Sequence, residues 1–326
     1  MAAKLSKLVL TIIAFAFALG GTQAQTSHYP ERPITMVVTF AVGGSSDVLA
    51  RSVANAMSQG LGKPIVVENR PGAGGNIGAE AVSKAAPNGY TILFGTNGTL
   101  GIGPALYKNL RYNPQKDLVP VGLLHQLPLV LIVNPQVPAK NLGELIAYAR
   151  SNPGKLTFAS AGIGSASHLT TELFKIAAGI DILHVPYKGG GAATADLVSG
   201  QVSMMLETIP NALPLVRGGQ MRALGVTTKE RSINAPDLPT FAESGLPKFD
   251  VSAWTGLFVP AGTPKAIIDR LNAETVRIAS DPAYVAQVKS MGADVASSSP
   301  EAFDTFVRKD VANWTEAIQH SGARAE

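Results

Sequence analysis

Short apolar runs alternate with amphipathic segments along most of the chain. Residues 34–40 form one such run, and a segment of helical periodicity follows it up to Gly60. Residues 64–68 and 90–94 are further apolar runs, with a second segment of helical periodicity between them. This part of the chain therefore predicts a βαβαβ unit, in which parallel strands form a sheet with helices on its faces.

The rest of the chain repeats this alternation. Apolar runs predict strands at residues 129–133, 156–160, 182–187, 202–206 and 222–227. Asn141 is a capping residue before one predicted helix, and residues 168–178 predict another. An irregular stretch at residues 234–248 precedes a last strand at 254–259 and C-terminal helices. The final helix carries an apolar stripe that predicts packing into the core, at Val307, Val311, Trp314 and Ile318.

This organisation belongs to the α/β class and predicts two lobes. The chain is expected to cross between them near residues 125–130 and again near 230–250. We assign residues 25–128 and 246–326 to lobe I, and residues 129–245 to lobe II. In open α/β sheets, ligands bind at loops that follow the carboxyl ends of strands. We therefore expect a ligand cleft between the lobes.

The N-terminus has the pattern of a cleavable secretory signal. Lys4 and Lys7 precede an apolar stretch at residues 8–19, and Thr22-Gln23-Ala24 provides a small-x-small ending. The apolar stretch is shorter than the roughly 20 residues that a membrane-spanning helix needs, although a retained anchor is the alternative. We predict that residues 1–24 are removed on export to the periplasm of a Gram-negative cell. Removing the two lysines lowers the formal net charge from +4 to +2.

The composition excludes several classes of protein. The chain has no Cys, which excludes disulfides, thiolate metal sites and a Cys nucleophile. Aromatic residues make up 6% of the chain and no run of five basic residues occurs, which argues against a nucleic-acid partner. The five His lack the spacing of a metal site, and no Gly-rich segment completes a dinucleotide or phosphate motif. We therefore predict neither a metal nor a cofactor.

Three small, polar, Gly-rich loops each follow a predicted strand and open a helix. They are Gly43-Gly44-Ser45-Ser46-Asp47, Gly95-Thr96-Asn97-Gly98-Thr99 and Ser160-Ala161-Gly162-Ile163-Gly164-Ser165-Ala166-Ser167-His168. Glycine lets the backbone approach a ligand, and free N–H groups at a helix start favour an anion by about 0.3–1 kcal/mol. No Arg or Lys lies in these loops, so they suit a carboxylate held by neutral donors, directly or through water. Tyr187, at the end of a further strand, would add an aromatic wall.

Each loop also has a purely structural interpretation. Ser46 or Asp47 would cap a helix, His168 would be a satisfied residue at a helix start, and the glycines would serve tight turns. Three such loops that converge on one cleft favour binding over these alternatives.

Further motifs accompany the loops in a specific order. They are Glu68-Asn69-Arg70-Pro71-Gly72-Ala73-Gly74-Gly75-Asn76-Ile77-Gly78, Pro87-Asn88-Gly89-Tyr90, Val185-Pro186-Tyr187-Lys188-Gly189 and Pro260-Ala261-Gly262-Thr263-Pro264. Together with the three loops, this ordered set resembles the Bug family of periplasmic solute-binding proteins, the receptors of tripartite tricarboxylate transporters. The resemblance covers nearly the whole chain after residue 24.

The resemblance implies a two-lobed, type II periplasmic binding protein fold that closes on a small organic carboxylate, which is an aliphatic, amino-acid or aromatic acid. It also implies a membrane transporter, with one large and one small membrane subunit, as partner. Carried onto this chain, it assigns ligand binding to Gly43, Gly44, Ser45, Ser46, Asp47, Thr96, Asn97, Ser160, Gly162, Ser165, His168 and Tyr187. The segment 69–78 is equally typical of the family, and we interpret it as a structural turn and helix start.

Two departures from the family pattern bear on the ligand. Ala41-Val42 stands where Pro usually precedes the first Gly-Gly, so this loop should be less rigid. Thr99-Leu100-Gly101-Ile102-Gly103 stands where many members carry His and Asn. Leu100 and Ile102 suggest the hypothesis of a less polar ligand, such as an aromatic acid.

The sequence therefore predicts a monomeric, non-catalytic receptor that delivers a carboxylate to a transporter. A liganded receptor that signals to a sensor kinase is one alternative. An exported hydrolase that uses Ser160 or Ser165 with His168 is another, although no carboxylate that would orient the base is visible.

Overall fold

The computed structural model describes residues 29–40, 42–43, 45–107, 109–187 and 190–321, so the predicted secretory signal at residues 1–24 lies outside the described residues. The strands are β1 (Ile34–Val38), β2 (Ile65–Asn69), β3 (Thr91–Thr96), β4 (Leu118–Val133), β5 (Thr157–Ser160), β6 (Leu183–Pro186), β7 (Met204–Thr208), β8 (Arg222–Val226), β9 (Ser252–Pro260) and β10 (Asp294–Val295). The helices are α1 (Ser45–Leu61), α2 (Asn76–Ser83), α3 (Gly103–Leu106), α4 (Pro114–Asp117), α5 (Leu142–Ser151), α6 (Ala166–Ala178), α7 (Gly190–Ser199), α8 (Ile209–Arg217), α9 (Lys265–Ala279), α10 (Pro282–Ser290) and α11 (Pro300–Ser321). A 3₁₀ turn covers Ala73–Gly75, and a π-helix covers Asn97–Ile102.

The strands of the described residues form one mixed sheet in the order β2-β1-β3-β9-β4-β7-β5-β6, and β8 and β10 also pair with β4. β1 pairs in parallel with β2 and β3, while β5 pairs in parallel with β6 and β7. The antiparallel strands β9 and β4 lie between these two parallel groups. The predicted α/β class is thus confirmed, and the sheet has two halves with a parallel group in each.

Strand β4 is 16 residues long and belongs to both halves of the sheet. Its first part pairs with β9, and its last part pairs with β7 and β8. The sequence predicts only residues 129–133 as a strand, because Pro120, Gly122 and Pro128 interrupt the apolar pattern that precedes them. Pairing with β9 keeps this segment extended, with register shifts after Pro120 and Leu123.

Hydrophobic cores cover both faces of each half of the sheet. In the first half, Phe94 points into one core and its neighbour Leu93 into the other, as the alternation of a strand requires. In the second half, Phe158 and Ala159 divide in the same way. The side chains of the first two cores come from residues 29–127 and 253–311, whereas those of the other two come from residues 129–251.

Helix α11 connects the two halves through apolar contacts. Its predicted stripe is buried, since Val307, Val311, Trp314 and Ile318 are each at most 9% exposed, which confirms the prediction. A bridging cluster joins α11 to the first half and to α6, and it consists of Ile102, Leu106, Leu169, Trp314, Ala317 and Ile318. Within the described ranges, no helix combines the length and the apolar character needed to cross a bilayer.

Candidate ligand-binding site

The predicted loops lie at the carboxyl ends of strands in both halves of the sheet. The first and second loops follow β1 and β3, which are parallel neighbours, and the third loop follows β5, a parallel neighbour of β6. Helix α1 begins in the first loop, and α6 begins in the third. Each half therefore presents a helix N-terminus at the edge where its loops gather, which is an arrangement that favours anions.

Asp47 holds the first loop in shape. Its buried carboxylate accepts hydrogen bonds from the backbone N–H of Gly43 (2.9 Å) and from Nδ2 of Asn69 (3.0 Å), and it forms an ion pair with Arg51 (3.0 Å). The hydrogen bond from Arg51 is the main cause that lowers the pKa of Asp47 below its usual value. Gly43 has a φ of +84°, in the left-handed region that favours glycine. Groups of the chain itself thus occupy the Asp47 carboxylate, which positions the loop backbone.

The start of α1 provides neutral donors beside this loop. Ser45 is exposed and Ser46 is half-buried. The backbone N–H groups of Ser45, Ser46 and Asp47 have no acceptor among the described residues. Together with the two serine hydroxyls, these groups form a set of donors that suits an anion. Gly44, which the sequence also assigns to the site, lies outside the described residues.

The second loop enters a π-helix at Asn97. Thr96 Oγ1 accepts a hydrogen bond from the backbone N–H of Thr99 (3.3 Å). Thr99 Oγ1 donates to the carbonyl of Gly74 (3.2 Å) and lies 3.2 Å from Thr39 Oγ1. These contacts connect the second loop to the end of β1 and to the 3₁₀ turn of the segment 69–78.

Asn97 carries a buried donor without a partner. The residue is 4% exposed, and its Nδ2 has no hydrogen bond within the described part of the chain. Leaving a buried donor unsatisfied costs about 1–3 kcal/mol. π-Helices, moreover, are frequent at functional sites. The Asn97 Nδ2 group is therefore a candidate donor for an acceptor that the described residues do not supply.

Ser165 closes the third loop by capping α6. Its Oγ accepts from the backbone N–H of His168 (3.2 Å) and donates to the carbonyl of Gly162 (2.7 Å). Gly162 has a φ of +131°, which again favours glycine. The N–H groups of Ile163 and Ala166 have no acceptor among the residues that the structure describes. The third loop, like the first, offers backbone donors at a helix N-terminus.

Two stacked imidazoles lie behind the third loop. Ser160 is fully buried, and its Oγ lies 2.7 Å from Nε2 of His184. The His184 ring stacks on that of His168, with ring centroids 4.0 Å apart, and on that of Phe158, 4.6 Å away. Gly164 donates its N–H to Nδ1 of His168 (3.1 Å), which leaves the ring proton on Nε2. Burial is the main cause that lowers the pKa of His168 to about 3 and that of His184 to about 4, so both rings are neutral at pH 7.

The arrangement lacks the parts of a serine hydrolase. Ser160 Oγ pairs with the ring of His184 and not with that of His168, and Ser165 Oγ contacts the backbone N–H of His168 but not its ring. No Asp or Glu of the described residues forms a hydrogen bond with either ring. In the same ranges, no group of three or more acidic or His side chains could hold a metal ion.

Contacts within the chain join the elements that carry the loops. The hydroxyls of Thr39, just after β1, and Thr99, in the second loop, lie 3.2 Å apart. Gly164 of the third loop packs against Leu106, at the end of α3, so closely that a Cβ on Gly164 would overlap Leu106 Cδ2. The third loop therefore contacts the short helix that follows the π-helix of the opposite half of the sheet. Tyr187 is half-buried, and its hydroxyl donates to Asp196 (2.7 Å), which leaves the ring as its available surface.

The two side chains that suggested a less polar ligand pack elsewhere. Leu100 is 2% exposed in a core of the first half, and Ile102 is fully buried in the bridging cluster. Leu100 and Ile102 therefore give no support to the hypothesis of a less polar ligand, because the π-helix turns both into hydrophobic cores.

Sequence reasoning missed several residues that support the loops. Asn69 holds Asp47 and also donates to the carbonyl of Phe40 (3.0 Å), and His184 pairs with Ser160. Asn69 stands at the end of β2, next to β1, so its place at a strand end was a usable signal. No signal pointed to His184, because its partner lies 24 residues away in the chain.

A separate groove lies between α6 and α11. It has a volume of about 820 Å³, and its walls come from the second half of α6, from residues 245–252 and from α11. None of the predicted ligand-binding residues lines this α6–α11 groove. Trp314 and Asp310 of α11 form part of its wall.

Known proteins are similar to this chain in sequence and in fold. The family model described as "Tripartite tricarboxylate transporter family receptor" matches residues 49–323. The protein BugT of Bordetella pertussis is 38% identical over 319 residues, which are 97% of this chain and 98% of BugT.

Three solved structures have the same fold. R. palustris Rpa4515 with adipate has a TM-score of 0.81 at 34% identity and covers 91% of this chain and 99% of its own. The periplasmic binding protein BugD has a TM-score of 0.77 at 39% identity and covers 91% of this chain and 100% of its own. MatC (Rpa3494) from Rhodopseudomonas palustris with bound malate has a TM-score of 0.75 at 39% identity and covers 89% of this chain and 100% of its own. These likenesses confirm the expected periplasmic binding protein fold.

Proposed function

Since the chain belongs to the tripartite tricarboxylate transporter receptor family, we propose that it binds a small organic carboxylate between two lobes and delivers it to a tripartite membrane transporter. The family consists of solute-binding receptors and not of enzymes. The chain is accordingly a receptor, and the hydrolase alternative is set aside.

The unpartnered amide of Asn97 carries the proposal for the ligand. This donor is buried in the second loop, and the N-termini of α1 and α6, from opposite halves of the sheet, add backbone N–H groups that have no acceptor in the described ranges. All of these donors are neutral, and a carboxylate is an anion that such groups can hold without a nearby cation. Two relatives in this family hold adipate and malate. We therefore favour an aliphatic dicarboxylate over an amino acid or an aromatic acid.

The proposed roles of the site residues follow from their exposure. Gly43, Ser45 and Ser46 contact the ligand from the first lobe, while Gly162, Ser165 and the ring of Tyr187 contact it from the second. Asp47, Ser160 and His168 are buried and already bonded within the chain, so they position the loops. Thr96 shapes the turn that presents Asn97, and Gly44 stays a ligand-binding residue of the proposal.

We propose lobe boundaries at residues 25–128 with 246–326, and at residues 129–245. The change of hydrophobic core near residue 128 supports the first boundary. Leu246, Phe249 and Val251 pack in a core of the second half, which favours a second crossing near residue 252 over one at residue 246. Ligand contacts from both lobes would favour a closed state, which the membrane subunits then recognise. The bridging cluster would favour the same state, because each fully buried aliphatic side chain contributes about 1.5–3 kcal/mol.

The proposed cellular route is export, removal of residues 1–24 and action as a monomer in the periplasm. Mass spectrometry of the exported protein tests the cleavage site, with Gln25 expected as the first residue.

Signalling to a sensor kinase would use the same liganded state, but the family match favours transport. In a pull-down, we expect the liganded receptor to capture the membrane subunits of a transporter and not a sensor kinase.

Thermal unfolding and calorimetry of the mature chain test ligand binding. The panel is adipate, malate, citrate, glutamate and benzoate. A ligand at 100 times its Kd stabilises by about 2.7 kcal/mol, which raises the Tm of a chain of this length by about 4 °C. We expect the largest shift with adipate or malate.

A matched pair of variants tests the site itself. Asn97→Ala should weaken the binding of that acid by about tenfold, which is the loss of one hydrogen bond to a charged group. The control is Asn313→Ala, at an exposed position of α11. Equal affinities for Asn97→Ala and the wild type would contradict the proposed site, and no binding of any acid by ligand-free protein would contradict the proposed function.

A further inference from the structure

A carboxylate at the junction of the two halves has no part in the loops described above. Asp310 on α11 accepts a hydrogen bond from Nε1 of Trp254 on β9 (2.7 Å). Nε1 of Trp314 lies near enough to lower the pKa of Asp310, yet it forms no hydrogen bond within the described residues. Burial outweighs both indoles and raises the pKa of this carboxyl to about 6.

The same carboxylate lies against the π-helix of the second loop. A Cβ on Gly101 would overlap Oδ2 of Asp310 and would come within 3.4 Å of the Trp314 ring. Only glycine therefore lets the π-helix approach α11 this closely. Because the π-helix begins at Asn97, Asp310 is in contact with the element that presents the unpartnered Asn97 amide.

Few charged groups surround Asp310. Lys309 and Glu316 of its own helix line the α6–α11 groove with it, and so do Lys248 and Asp250 of the opposite wall. In the described part of the chain, none of them forms an ion pair with Asp310. The residues of α6 in the groove wall are uncharged, and so is the π-helix. The Asp310 carboxylate is thus in contact with the two indoles and with Gly101.

We propose that Asp310 is a positioning residue for ligand binding: its ionised carboxylate accepts the hydrogen bond from Trp254, packs against the π-helix at Gly101 and thereby fixes Thr96 and Asn97. A hydrogen bond to an ionised acceptor is about twice as strong as a neutral one. Protonation therefore weakens the hydrogen bond from Trp254 and lets the Asp310 side chain move against Gly101, and affinity for the carboxylate falls as Asp310 takes up its proton. This inference rests on the proposed function of the loops.

The test compares Asp310→Asn with the wild type at several pH values. The Asn side chain keeps its shape and an acceptor for Trp254 but carries no charge at any pH. Calorimetry gives the Kd of both proteins for adipate and malate at pH 5, 6, 7 and 8. Coupling between two sites typically changes affinity 5- to 150-fold. We expect the variant to bind about tenfold more weakly at pH 8 and nearly equally at pH 5.

The ratio of the two Kd values isolates Asp310, because titration of the acid and of every other group cancels. Asp304→Asn is the matched control, since Asp304 lies on the same helix in an exposed ion pair with Arg308 (2.7 Å). It makes the same change of charge on the same helix, at a side chain that pairs with Arg308 and not with Trp254. Its Kd should equal that of the wild type at each pH.

Two spectroscopic signatures test the contact without a ligand. The chain has two Trp, and both lie beside Asp310, so the two indole N–H signals in a ¹H–¹⁵N spectrum report on this carboxylate. The Trp254 signal should titrate near pH 6 in the wild type and not in Asp310→Asn. Amide hydrogen exchange across Asn97–Ile102 at pH 8 should be faster in the variant.

Each outcome decides the inference separately from the proposed function. A folded Asp310→Asn variant that binds with unchanged affinity at pH 8 overturns the inference, and so does a tenfold loss that is the same at every pH. If neither acid binds the wild type, the proposed function loses its dicarboxylate ligand. The indole titration and the amide exchange then decide the inference. Exchange across Asn97–Ile102 that is the same in Asp310→Asn and in the wild type would overturn it.

Discussion

The contribution of Asp310 to the free energy of unfolding should fall as the pH rises. Burial raises the pKa of this carboxyl from its usual 3.8 to about 6 in the folded protein. Each pKa unit corresponds to about 1.36 kcal/mol, so the ionised carboxylate costs the folded state about 3 kcal/mol. Asp310→Asn removes the ionisation and keeps the shape, and it should therefore remove this cost.

The direction follows from proton binding. Below pH 3.8 the carboxyl is protonated in both the folded and the unfolded chain, and the cost is absent. As the pH rises from about 4 to 6, the unfolded chain loses its proton first, so the stability of the wild type falls. Above pH 6 the whole cost applies. The gain from Asp310→Asn should thus be small near pH 4, about half complete at pH 5 and about 3 kcal/mol at pH 8.

Urea unfolding followed by far-ultraviolet circular dichroism measures this gain at each pH. The difference between variant and wild type is the informative quantity, because other titrating groups contribute equally to both. Asp304→Asn should change stability by less than about 1 kcal/mol, as the loss of an exposed ion pair does. A gain for Asp310→Asn that is equal at pH 4 and pH 8 would refute the argument from burial. Together with weaker binding, the predicted gain would mean that the protein retains a destabilising charge for its function.

Three further substitutions test other parts of the structure. Asp47→Ala removes the acceptor that holds the first loop, so it should weaken dicarboxylate binding by at least about tenfold in calorimetry. Unchanged binding would show that the first loop keeps its shape without the Asp47 carboxylate. Burial lowers the pKa of His125 to about 3, so the wild type should lose stability as the pH falls from 6.5 towards 3, because the unfolded chain binds the proton first. His125→Gln should flatten this loss in urea unfolding, and an equally steep loss would assign it to other groups. Gly164→Ala should weaken binding and lower the Tm more than Gly219→Ala does. Both glycines have a positive φ (+78° and +70°), but only a Cβ at Gly164 would clash with a neighbour. Equal effects of the two substitutions would leave backbone strain as the cause.

Local signals in the sequence were sufficient for much of the secondary structure. Asn141 caps α5 by accepting from the N–H of Glu144 (2.8 Å), and this interaction spans three residues. The glycines of the loops, the apolar runs of the parallel strands and the stripe of α11 are patterns of the same short range. The family motifs are likewise contiguous, and for this reason they identified the fold before any contact was known.

The candidate site depended more on contacts between distant segments. The hydroxyl of Ser160 pairs with His184 and not with the nearby His168, and Asp47 is held by Asn69 from a neighbouring strand. The sequence places each of these polar residues near a strand end but cannot say which are already bonded. Only the folded chain separates the residues that hold the loops from those that are free to meet a ligand.

The sequence by itself determined the α/β class, the order of the elements and the loops at the strand ends, because periodicity, capping and turns act within a few residues. The tertiary structure alone decided that β4 runs through both halves, that the π-helix buries Leu100 and Ile102, and that Asn97 Nδ2 finds no partner among the described residues. It also decided the state of Asp310, whose partner Trp254 lies 56 residues away in the chain. Burial and hydrogen bonding across such distances are set by packing, and packing exists only once the whole sheet and its helices have assembled.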